Sequence, residues 1–95
     1  MAHYVILSRV SPGAFEDPHD FRRLAEAVSE KIKSQCPAVR WRESFSTLGR
    51  YDSVDLVESD DPSQVERAAM IIRSLGRSAT EVLPATPWKD FISRL

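Results

Sequence analysis

The side chains with chemistry to offer are few and scattered along this chain. Tyr51 and Asp52 stand side by side after Gly49-Arg50, and a phenol next to a carboxylate can donate and accept a proton or hold a ligand by two hydrogen bonds. In the competing reading Asp52 satisfies backbone amides of a turn while Tyr51 packs. Trp41, Arg42 and Arg9 can supply a stacking wall and cationic anchors for an anionic or aromatic ligand, against the plainer account of packing and solvated arginines. His3 can reach a neighbouring pocket if the amino terminus is ordered. His19 falls in the first turn of a helix and reads as exposed. Two histidines so far apart do not suggest a metal site, which needs three or four ligands. The ligand-binding candidates are therefore Tyr51, Asp52, Trp41, Arg9, Arg42 and His3. No catalytic residue is assigned, and no metal or cofactor is implied.

Composition narrows the function classes further. At 95 residues the chain has material for one hydrophobic core and reads as one domain, 1–95. Its 42% hydrophobic and 28% charged residues match globular averages. A formal net charge of −1 gives no global field to gather nucleic acid or anionic lipid. The segment Met1 to Arg9 lacks a basic start and loses its apolar run too soon for a signal peptide or a membrane span, so the expected location is the cytoplasm. The single Cys36 can form neither an internal disulfide nor a thiolate zinc cluster, and before Pro37 it reads as a structural residue at a helix end. Tyr51 to Leu56 carries two acids and one ring, unlike the exposed aromatic strand of an RNA-recognition motif. No glycine-rich phosphate loop, serine–histidine pair or helical carboxylate dyad is present.

The elements that position the candidates are legible from caps and periodicity. Tyr4 to Val10 reads as a strand ending at Ser11-Pro12-Gly13. Asp17-Pro18 is an N-cap followed by proline at the first helical position, and Phe21, Leu24, Ala25, Val28 and Ile32 then form one apolar helix face before Pro37. Val39 to Leu48 reads as a half-buried strand with Val39, Trp41 and Phe45 on one parity. Gly49-Arg50 is expected to close a tight hairpin into a strand from Tyr51 to Glu58. Asp61-Pro62 repeats the helix-start signal, with Gln64 as a capping-box partner. Val65, Ala68, Ala69, Ile72 and Leu75 share one face of that helix, with Ile71 at its edge, and Gly76 stops it. Ser78 to Ala85 is a last strand, in which Pro84 marks the end or a sheet edge.

The order β-α-β-β-α-β predicts an α+β, ferredoxin-like sandwich, with two helices on one face of a four-stranded antiparallel sheet. The strands carry apolar residues at both parities, so the second face also calls for a cover, and a twofold partner is the usual one. A homodimer or higher homo-oligomer is expected. Trp88, Phe91, Ile92 and Leu95 recur at helical spacing in a short C-terminal segment, 86–95. A helix that short is not stable alone in water, so it must dock on its own sheet or on a neighbour.

Leu48-Gly49-Arg50-Tyr51-Asp52 resembles the hairpin signature of the GYD domain family. Tyr4-Val5-Ile6-Leu7, Ser74-Leu75-Gly76 and Thr80-Glu81-Val82-Leu83 add weaker matches. The first turn departs from the family pattern, with Ser11-Pro12-Gly13 in place of a threonine-rich turn, and Cys36-Pro37 stands where Gly-Gly is expected. The resemblance implies a ferredoxin-like fold related to dimeric α/β-barrel proteins, which pair sheet to sheet around a cavity. It transfers no catalytic residue. Two functions follow as expectations. One is a homo-oligomeric module that binds a small molecule or a protein, with no nucleic acid or membrane partner. The other is a cofactor-independent enzyme of monooxygenase, isomerase or decarboxylase type. An intersheet cavity of roughly 300 Å³ or more, lined by an ionisable group of shifted pKa, would favour the second.

Overall fold

The structure, a computed structural model, describes all residues 1–95. Seven elements follow in order: β1 (Ala2–Val10), α1 (Pro18–Gln35), β2 (Arg40–Ser46), β3 (Ser53–Ser59), α2 (Pro62–Ser74), β4 (Ser78–Ala85) and α3 (Trp88–Ser93). The strands form one antiparallel sheet in the order β2-β3-β1-β4. This is the ferredoxin-like arrangement, with a short helix appended. No helix is long and apolar enough to cross a membrane.

Both long helices begin as their sequence dictates. The Asp17 carboxylate accepts the His19 amide at 2.9 Å, and that of Asp61 accepts the Ser63 amide at 3.0 Å. Each thereby satisfies one of the amides that a helix start leaves unpaired. Gln64 does not complete a capping box. Its side-chain oxygen accepts the Ala38 amide at 2.8 Å, so it ties α2 to the segment entering β2. Ser59 takes the box's place, accepting the Asp61 amide and donating to the Ala38 carbonyl.

Two further expectations change. The β2–β3 connection is not a tight hairpin, because β2 ends at Ser46 and β3 starts only at Ser53. Gly49 still needs its glycine, having φ +132°, a conformation that side chains disfavour. The parity of β2 also breaks. A register shift between Trp41 and Glu43 puts Trp41 opposite Val57, and Phe45 opposite Val54. A bulge of this kind places two residues against one, so Trp41 faces the helices and Phe45 the opposite side of the sheet. Phe45 is accordingly 52% exposed.

Alternation then assigns the two faces of the sheet. Ile6, Ser8, Asp55, Val57, Ser59 and Thr80 turn toward the helices and are buried. Val5, Leu7, Val54 and Leu56 turn to the other face, which no helix covers. α2 lies close on the sheet through Val65, Ala68 and Ala69, and Arg73 fastens it to β4 by donating to the Thr80 hydroxyl at 2.7 Å and carbonyl at 2.9 Å. Ile71, expected at the edge of the apolar face, is buried, because α2 also supports α1: Ile32, Cys36, Ala68 and Ile71 form one cluster. Leu75 is left exposed. α2 stops where expected, although the left-handed residue is Arg77 (φ 50°) and not Gly76. Gly76 is required because a Cβ there would run into the Ile72 carbonyl.

Asp52 holds the end of β1. Its carboxylate accepts the Val10 amide at 2.7 Å, its amide donates to the Ser8 carbonyl at 2.9 Å, and its carbonyl accepts the Thr47 amide at 3.0 Å. Replacing Asp52 by Ala leaves the Val10 amide without its charged acceptor, and we expect a loss of about 1–2 kcal/mol in urea unfolding. An unchanged midpoint would show that the bond adds nothing. Gly76→Ala is expected to lower the midpoint as well, by displacing the last turn of α2.

Candidate functional site

The sequence candidates fall into three places. Asp52 is the backbone brace just described. Tyr51 lies half-buried in the β2–β3 connection, where the Glu81 carboxylate of β4 raises its pKa, with partial burial adding to the effect and the Arg50 and Arg9 charges opposing it. Tyr51, Glu81 and Arg9 therefore make a polar group at one end of the uncovered sheet face. At the other end His3 Nε2 lies 2.8 Å from one Glu58 oxygen, and Arg42 Nε 3.5 Å from the other. These residues border a hollow of about 570 Å³, which also reaches Leu56 and Pro87. His3 and Arg9 are six residues apart on β1, so the two groups stand about 20 Å from each other.

Trp41 belongs to the opposite side. Its indole N–H points between two acceptors, Ser44 Oγ at 2.9 Å and Asp55 Oδ1 at 3.2 Å. Asp55 is 8% exposed. Burial raises its carboxyl pKa, and the hydrogen-bonding Ser44 and Trp41 only partly offset this. Trp41 and Asp55 form one wall of a cavity of about 430 Å³ between α1 and the sheet. Its roof is the apolar face of α1, from Phe21 through Leu24 and Val28 to Ile32, and its floor is the sheet from Ser8 and Val10 across Ser53 and Asp55 to Ser44. Cys36 closes one end, its thiol pKa pushed up by burial and drawn back in part by Arg67. Lys33, exposed, stands at the rim and is the one cation of the lining.

The cavity exists because α1 packs on α2 by its last turns alone, while its first turn meets only Phe15 of the preceding loop, through Phe21. Ile32 and Cys36, in its last turns, pack on Ala68 and Ile71 of α2, whereas Leu24 and Val28 are half-buried and Phe21 is 41% exposed. An apolar helix face set over a sheet without closing on it is a ligand-shaped space. Its floor is also unusually polar. The Ser8 hydroxyl is buried and has no hydrogen-bond partner in the chain.

Sequence reasoning reached Trp41 and missed Ser8 and Asp55. The signal was parity: Ser8 follows Ile6, and Asp55 precedes Val57, at the alternate positions that carry the core. A serine and a carboxylate at core parity mark either a satisfied network or a site.

The fold is shared with known proteins. The GYD domain model matches residues 4–95. The chain is 30% identical, over 95 residues, to a glutamine synthetase and cystathionine beta-lyase binding protein of Thermus thermophilus, covering 100% of this chain and 99% of that one. A crystal structure of a Thermus thermophilus protein matches with TM-score 0.60 and 27% identity, covering 92% of this chain and 95% of the other. The 5-chloro-2-hydroxyhydroquinone dehydrochlorinase of Burkholderia phenoliruptrix, solved with 2,5-dihydroxybenzoquinone, matches with TM-score 0.65 and covers 93% of this chain and 97% of that one. Its 18% identity indicates a common fold alone. By the family model and the full-length Thermus relative, this chain belongs to the GYD domain family.

Proposed function

We propose that this protein is a homodimeric binding domain that takes a compact, mostly apolar molecule between α1 and its sheet. The observation that carries the reading is the 430 Å³ cavity with Trp41, Asp55 and Ser8 in its wall, a volume within the range of small-molecule sites. The dimer rests on two unsatisfied surfaces. Val5, Leu7, Val54, Leu56 and Leu83 face outward with no helix above them. Every residue from Thr86 to Leu95 is exposed, including Trp88 at 73% and Leu95 at 87%. α3 has six residues, too few to hold its shape unaided, and it does not dock on its own sheet. A second copy laid face to face supplies cover for both. The oppositely charged groups in the Tyr51–Glu81–Arg9 and His3–Glu58–Arg42 clusters suit such a pairing. The Thermus relative, named for binding two enzymes, supports a further role for the assembled surface in holding a protein partner.

The enzyme reading has one observation of its own, the Asp55 carboxyl held toward its neutral form inside an apolar space, the state of a general acid. Incubating purified protein with cavity-sized ligands separates the readings. A binder returns each ligand unchanged, and an enzyme converts one of them in an Asp55-dependent manner.

For the dimer, light scattering should give twice the 10.8 kDa chain mass. Deleting Trp88 to Leu95 should lower that mass or the thermal midpoint, and no change in either removes the docking role of α3. Asp55 gives a pH signature. Its folded pKa lies above the unfolded one, so the folded state favours the protonated form and loses stability as pH rises from about 4 through the folded pKa. Asp55→Asn removes that loss, so its urea midpoint relative to wild type should be higher at about pH 7.5 than at about pH 4.5. An equal difference at the two pH values would contradict the burial effect.

A further inference from the structure

Resting on the reading of the α1 cavity as a binding site, we infer that its ligand carries a neutral hydroxyl at the buried end, held jointly by Ser8 and Asp55. Ser8 is 4% exposed and its Oγ has no partner in the chain. Two other serines of the lining are committed. Ser44 takes the Trp41 indole N–H, and Ser78 donates to the Gly76 carbonyl at 2.9 Å. Of the two Asp55 oxygens, the indole engages Oδ1.

Ser8 pairs with Ser53, and Ile6 with Asp55, so Ser8 and Asp55 are diagonal neighbours on one sheet face, about 7 Å apart at Cβ. One oxygen can reach both, since two hydrogen bonds of about 2.8 Å cover about 5.6 Å and the Ser8 and Asp55 oxygens stand beyond their Cβ atoms. A group that can both donate and accept fits whichever role the serine hydroxyl and the carboxyl each take. A hydroxyl does this. A carboxylate at the floor would lie beside Asp55, with Lys33, the one cation of the lining, away at the rim. An ammonium would require Asp55 ionised, against the direction in which burial moves it. Above the floor, Leu24, Val28, Ile32 and the Trp41 ring ask for a hydrocarbon body. The ligand class is therefore a monocyclic phenol or alcohol.

The test is a titration of the ¹⁵N-labelled protein with phenol, cyclohexanol, toluene and benzylamine, following the Ser8, Asp55 and Val28 amides by NMR, on wild type and Ser8→Ala. Phenol or cyclohexanol should bind at least ten-fold more tightly than toluene. Ser8→Ala, nearly isosteric and safe for folding, should remove most of that preference while leaving toluene affinity unchanged. Toluene binding as tightly as phenol would overturn the hydroxyl assignment and leave the cavity reading intact. Tightest binding of benzylamine would overturn it in favour of an ionised Asp55. No perturbation of the cavity amides by any probe would overturn the cavity reading itself, and this inference with it.

Discussion

The contact on which the rest of this molecule depends is the cluster of Ile32, Cys36, Ala68 and Ile71. α2 lies flat on the sheet because its buried face uses alanines at positions 68 and 69, which let the helix backbone approach closely. α1 has no comparable approach. It rests on α2 by its last turns, and the sheet beneath its first turns is left uncovered. Position, volume and polarity of the cavity all follow. The floor is lined by serines and an aspartate because that part of the sheet meets no packed apolar partner, and orphaned polarity is tolerable only beside a space that something polar can enter.

Much of this architecture was legible in the sequence. The Asp17-Pro18 and Asp61-Pro62 pairs fixed both helix starts through local hydrogen bonding, and alternation along β1 and β3 showed that both sheet faces carry apolar side chains. What escaped depends on contacts between distant residues. The bulge that separates Trp41 from Phe45 arises from pairing with β3. Gln64 has the spacing of a capping residue yet serves Ala38, because the chain entering β2 passes within its reach. The apolar face of α1 is legible as a face. Periodicity does not say at what distance a face stands from its partner, so the space beneath it, and Asp55 within that space, were not visible.

The family hairpin changes meaning in this light. Asp52 is tied to the backbone of β1 by its carboxylate and its amide, and its role is to end the central strand cleanly. Tyr51 turns to Glu81 on the uncovered face. The motif thus organises the side of the sheet opposite the cavity, and motif and cavity communicate only through the strands they share. β1 carries both: Ser8 below, Arg9 above, and Val10 bonded to Asp52.

A helix packed on its neighbour helix by its last turns alone behaves as a lever. From Ile32 to Pro18 is about 21 Å along the axis, so a tilt of about 5° at the anchor displaces the far end by about 2 Å. The capacity of the cavity is set by an angle more than by the residues that line it. Its fulcrum, Ala68 and Ile71, lies on α2, outside the lining. The gauge of the space is thereby separated from its chemistry: a lineage can resize the chamber through the seam between the two helices while Ser8, Trp41 and Asp55 stay unaltered.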